Sequence, residues 1–151
     1  MVMGGPQLGH YFEDLSLGMG ADLLKTVMAN DVIGFAQISG DTNPVHLSDH
    51  FAAKTPFRSR IAHGLYTASL ISAVLGTRLP GPGAVYLTQS LNFRAPVHIG
   101  DVVAAHVEVT DLNPEKFRVK LACTCTVDAR TVLDGEAVVL VPSRDKKPGV
   151  R

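Results

Sequence analysis

The sequence predicts an α+β protein: one antiparallel sheet wrapped around a long central helix. Three observations lead there. Residues 60–76, "RIAHGLYTASLISAVLG", are the longest helical candidate in the chain. Four later stretches, 84–93, 101–112, 116–127 and 131–142, are rich in β-formers and are separated by the turn-formers "APVHIG", "NPE" and "DAR". The third of them alternates, with Phe117, Val119, Leu121, Cys123 and Cys125 on one side and Lys116, Arg118 and Lys120 on the other.

In chain order, "ADLLKTVM" (21–28) reads as a first strand. Asn30 or Asp31 then caps a short helix, "DVIGFAQIS", whose Val32, Ile33, Phe35, Ala36 and Ile38 give it a buried side, and Gly40 ends it. The turn "SGDTNPVH" (39–46) follows, with Pro44 forcing Asn43 out of helical angles. Ser48 caps a second short helix, "DHFAAK". In the long helix Leu65, Leu70, Ile71, Val74 and Leu75 supply the apolar bulk, while Gly64, Ala68, Ser72 and Gly76 form a ridge of small side chains; "RLPGPG" stops it. Asp134-Gly135 resembles a hairpin turn but would leave a very short strand before it, so a bulge within one longer strand is expected. Rolling a single sheet around the long helix buries both elements with the fewest loose ends, which is the hot-dog arrangement. Its edge strands need covering, so a homodimer or a higher homo-oligomer is expected.

With 151 residues the chain is expected to be one domain, 1–151, with a core of about 11–142 and loose termini. A formal net charge of zero argues against a nucleic-acid or anionic-membrane partner. The uncharged run 61–77 falls short of the ~20 residues of a membrane helix. "MVMGGPQLGHYFEDLSLG" lacks the basic start and apolar run of a signal peptide, so the expected location is the cytoplasm. Cys123 and Cys125 read as reduced, apolar strand residues, and no close-spaced ligands suggest a metal. "PGPG" (80–83) lacks the lysine and spacing of a phosphate loop, and no Ser or Cys sits in a nucleophile elbow. His10, His50, His98 and His106 are scattered without ligand spacing.

Asp41 and His46, on one proline-stiffened turn, are the chemistry-bearing pair. Adding water across an activated double bond needs a base for the water, an acid for the adjacent carbon, and donors for the charge that builds on the carbonyl oxygen. A carboxylate and an imidazole converging on one water supply the first two. Asp41 is expected to lie buried near apolar helix side chains. Gly64, at the head of the long helix, offers a backbone N–H without an intrahelical partner, aided by the helix dipole. Taken singly, these residues also fit a turn-capping carboxylate, a core histidine and a close-packing glycine.

The flanking motifs decide between these readings. "SGDTNPVH" and "AHG" (62–64), with "YFEDLSLG" (11–18), "LPGPGAVYLTQSLNFRAPVHIGD" (79–101) and "LDGEAVVLVP" (133–142), resemble the MaoC-like or (R)-specific enoyl-CoA hydratase family, closest to its small single-domain hydratases of polyester synthesis. The resemblance implies reversible syn hydration of trans-2-enoyl-CoA to (R)-3-hydroxyacyl-CoA. It assigns Asp41 and His46 to a catalytic dyad, Gly64 to the oxyanion site and Ser72 to a position near them. Asn43 and His63 become substrate-binding candidates. It implies no metal or redox cofactor, coenzyme A thioester being the substrate. A dehydratase of acyl-carrier-protein thioesters, an acyl-CoA thioesterase and a non-catalytic acyl-CoA-binding subunit remain alternatives. So do two roles for Arg58 and Arg60: contact with coenzyme A phosphates, or solvated loop charge.

Overall fold

The structure, a computed structural model, describes residues 9–145. Alternation builds five strands: β1 (Gly20–Thr26), β2 (Val85–Phe93), β3 (Val102–Asn113), β4 (Arg118–Val127) and β5 (Arg130–Leu140). They form one antiparallel sheet in the order β1-β3-β4-β5-β2. The predicted alternation holds in β4, where Val119, Leu121, Cys123 and Cys125 are sealed from solvent. Phe117 and Lys116 fall in the turn before β4 rather than in the strand, Phe117 at a φ of 52°. β4 and β5 are joined by a two-residue hairpin in which Asp128 and Ala129 both take positive φ, matching the twist of the flanking strands.

The expected bulge at Asp134-Gly135 is not there. β5 runs straight through, pairing Asn92 with Asp134 and Leu91 with Gly135. Irregular register in the ladders of β5 falls instead between Tyr86 and Thr88 and between Cys125 and Thr126. The glycine has a different reason: a Cβ at 135 would lie 1.9 Å from the Ser90 carbonyl oxygen on β2.

Four helices follow β1: α1 (Ala29–Ser39), α2 (Pro44–Leu47), α3 (Asp49–Ala53) and α4 (Gly64–Thr77). α1 starts earlier than expected, with Met28 at its cap. Asp31 sits inside the first turn, where its carboxylate accepts the Met28 N–H at 2.8 Å. That bond chiefly holds the Asp31 carboxyl below its ordinary range, with Lys25 at 3.2 Å helping. Only part of the expected apolar side is buried: Val32 and Ala36 face the core and Phe35 packs beside them, whereas Ile33 and Ile38 are exposed, Ile38 by 88%. Positions 32, 35 and 36 share a helical face that 33 and 38 leave. Gly40 closes α1 in the left-handed conformation at φ 81°, and Ser48 caps α3 by accepting the Phe51 N–H.

The long helix begins at Gly64, not at residue 60. Residues 60–63 are extended, held by the Ile61–His98 bridge and the bond from the Ala62 N–H to Val97 O. α4 buries Tyr66, Thr67, Leu70, Ile71, Val74 and Leu75 against the concave face of the sheet, on one cluster with Val103, Leu121 and Val139. Leu65 points outward, 59% exposed, and the small ridge of Gly64, Ser72 and Gly76 faces away from the core.

Of the ends expected to be loose, on either side of 11–142, residues 1–8 and 146–151 lie outside the described residues. The described parts are tied down: Gly9 and His10 bond the carbonyls of Pro82 and Pro80, and Arg144 meets Asp14 at 2.7 Å. No described helix is long and apolar enough to cross a membrane.

Candidate active site

The loop between α1 and α2 is tied together by its own polar side chains. The Ser39 hydroxyl donates to Phe35 O at 2.7 Å and accepts the Asp41 N–H at 3.1 Å. Asp41 Oδ1 accepts the Asn43 N–H and Asn43 Oδ1 accepts the Val45 N–H, each at 3.1 Å. Pro44 opens α2 with Asn43 as its cap, out of helical angles as predicted, at φ −52° and ψ 125°. This chain of short-range bonds commits one oxygen of Asp41 to the turn and leaves the other, Oδ2, facing His46.

His46 is fixed from behind. Its Nδ1 lies 2.8 Å from Ile61 O, and a nitrogen facing a carbonyl can only donate. Nε2 is thereby turned towards Asp41 Oδ2, 4.0 Å away. That distance is too long for a direct hydrogen bond, but two atoms so placed can each lie about 2.8 Å from one shared water oxygen. The expected burial of Asp41 is not found: its side chain is 53% exposed, because the loop forms the rim of the site rather than its floor.

His63, the residue before α4, has its ring stacked on that of His46, centroids 3.8 Å apart and planes 29° from parallel. Its Nε2 donates to the Asp41 backbone carbonyl at 2.9 Å. Gly64 comes next, and its N–H, first in the helix, has no intrahelical acceptor. A Cβ at 64 would lie 2.6 Å from the Phe93 ring, so any larger residue there would have to displace that side chain.

These groups border one cavity of about 720 Å³. Asp41, His46, His63 and Gly64 line it on the helical side, Phe93 and Leu133 on the sheet side. Two of the six predicted site residues do not reach it. Asn43 is engaged in the turn, and Ser72 sits on an exposed part of α4. Eight residues beyond Gly64, Ser72 is about 12 Å further along the helix and about 80° around it. Phe93, Arg94 and Leu133 were not anticipated from the sequence; they reach the site only because β2 and β5 end beside the head of α4, and no local spacing encodes that. Arg94 is held by Asp134 at 3.0 and 3.2 Å, a pairing that lowers the Asp134 carboxyl from its usual range. Arg60 is engaged by Asp49 at 3.0 Å.

Asp41, His46 and His63 also bring three possible metal-ligand atoms within 4.8 Å of one another, a grouping the sequence spacing does not reveal. The donor set suits a metal poorly. His46 Nδ1 and His63 Nε2 are used on carbonyls and His63 Nδ1 is sealed from solvent, so of the three residues only His46 and the Asp41 carboxylate keep an accessible ligand atom.

A family model described as "MaoC like domain" matches residues 18–131. A "3-hydroxybutyryl-CoA dehydratase" of Methylorubrum extorquens is 65% identical over 90% of this chain and 87% of its own. An "(R)-specific enoyl-CoA hydratase" of Rhodospirillum rubrum is 56% identical over 89% of this chain and 94% of its own. The solved (R)-hydratase of Aeromonas caviae, described as involved in PHA biosynthesis, superposes with a TM-score of 0.84 at 44% identity, covering 86% of this chain and 99% of that one. A hot-dog sheet around α4, the Asp41–His46 turn at its head and a family match over most of the sequence together place this chain in the MaoC-like domain family.

Proposed function

We propose that the protein is an (R)-specific enoyl-CoA hydratase, a hydro-lyase that adds water reversibly to trans-2-enoyl-CoA to give (R)-3-hydroxyacyl-CoA. The observation that carries this reading is the 4.0 Å gap between His46 Nε2 and Asp41 Oδ2 at the wall of an apolar cavity. A water bridging the two is held with its oxygen towards the cavity. Its oxygen adds to C3 while the proton it loses passes through the pair to C2, so that one molecule of water is consumed and both new bonds form on one face. With Nδ1 committed to Ile61 O, Nε2 is the ring atom left to exchange protons.

The Gly64 N–H and the positive end of α4 receive the negative charge that develops on the thioester oxygen. Phe93 and Leu133 provide the apolar wall for the acyl chain. Water, two side chains and a backbone N–H suffice for these steps, so no metal or redox cofactor enters. In this reading the enzyme works in the cytoplasm as a homodimer. A second copy covers the β2 edge, where Val85, Tyr86 and Leu87 are exposed.

The test is to incubate the protein with a short trans-2-enoyl-CoA and follow conjugated-enoyl absorbance and free thiol together. Loss of absorbance without thiol, with only the (R)-alcohol as product, is the expected result. Thiol release indicates a thioesterase, and binding without turnover an accessory subunit; either outcome refutes the hydratase.

A further inference from the structure

His63 is 98% buried, with 2% of its surface exposed, and neither of its ring nitrogens is open to a substrate: one is bonded and the other is sealed off. Nε2 donates to Asp41 O at 2.9 Å, and Nδ1 is sealed from solvent with no partner among the described residues. The ring can therefore offer no free polar atom to a ligand, although it borders the cavity. What it does contact is informative. One neighbour is the His46 ring at 3.8 Å; another is Phe35 of α1, at 4.9 Å and tilted by 54°. Its own carbonyl accepts the Tyr66 and Thr67 N–H groups and so starts α4, directly before Gly64.

We infer that His63 is a positioning residue that braces the Asp41–His46 pair against the head of α4. Its Nε2–H fixes the Asp41 main chain, its ring face fixes the plane of His46, and its backbone fixes Gly64. The three groups of the proposed reaction are thereby tied through one residue, two by its ring and one by its main chain. The need is clear from the loop itself. Asp41 is otherwise held only by short-range bonds within a half-exposed turn, and a shift of about 1 Å there is enough to cost about 10²-fold in rate. This inference rests on the hydratase reading and changes the expected role of His63 from substrate contact to support.

Substitutions separate the two roles. His63→Asn fills the space near Nδ1 but cannot reach the Asp41 carbonyl, whereas His63→Gln places an N–H near the position of Nε2. The expected result for His63→Asn is a fall in kcat of about 10²-fold with KM within about threefold, and for His63→Gln recovery to within about tenfold of wild type. Melting curves and circular dichroism confirm that both variants are folded. Should His63→Asn not fold, His63→Phe, which keeps the stacking but not the donor, takes its place with the same expectation. The inference is overturned by a kcat equal to wild type, by a rise in KM with kcat intact, or by equal losses in the Asn and Gln variants. An active wild type with unaffected His63 variants ends this inference alone; a wild type that hydrates nothing ends the hydratase reading and this inference with it.

Discussion

In β4, Val119, Leu121, Cys123 and Cys125 face the core in strict alternation and are sealed by α4 and the flanking strands. In the turn 39–43 the reverse holds. Ser39, Asp41 and Asn43 are exposed, and their order comes from side chains bonding backbone two positions away. The strand is held by area removed from water, a non-directional force that tolerates modest change in shape. The loop is held by directional bonds, each contributing about 1 kcal/mol. Such bonds do little for global stability, yet they set the aim of a carboxylate to a fraction of an ångström. Stability and reactivity are therefore carried by different residues, joined at the His63–Gly64 step. Burial even removes chemistry from the sheet: it pushes the Cys125 thiol up to about 12, leaving the side chain as apolar filling.

This contrast can be broken by substitution. The largest effect is expected in the loop, where Asp41→Asn and His46→Ala should each lower kcat by about 10²–10⁴-fold while leaving the melting temperature within a few degrees. Steady-state kinetics beside thermal melts check both halves of that expectation; retained turnover in either variant removes the dyad from the account. The converse is expected in the sheet. Leu121→Ala, at a fully buried position, should cost about 2–5 kcal/mol of stability, read by denaturant unfolding, while kcat per folded molecule stays near wild type. If Leu121→Ala lowers kcat as much as Asp41→Asn does, the division between the two regions fails.

Much of this was legible in the sequence because periodicity is a local property. The strands and the long helix declare themselves through spacing, and Pro44 and Gly40 mark the turn. What escaped detection is non-local. Ile33 and Ile38 are apolar yet exposed, and composition alone could not separate them from Val32 and Ala36. Gly135 reads locally as a bulge, whereas it is the approach of the Ser90 carbonyl on a strand more than forty residues away that demands it. The site divides in the same way. Asp41, His46 and Gly64 stood out by motif, whereas Phe93 and Leu133 join them only once β2 and β5 have paired. The support given by His63 likewise depends on a bond to Asp41, 22 residues earlier in the chain.

The central claim is that one water, gripped between Asp41 and His46, gives its oxygen to C3 and a proton to C2 on the same face of the substrate. Hydration of a trans-2-enoyl-CoA in deuterium oxide, with the product resolved by NMR, tests it most directly. The expected product is a single diastereomer carrying one deuterium at C2, on the face that received the hydroxyl. Deuterium on the opposite face, or scrambled between the two faces at early conversion, would contradict it.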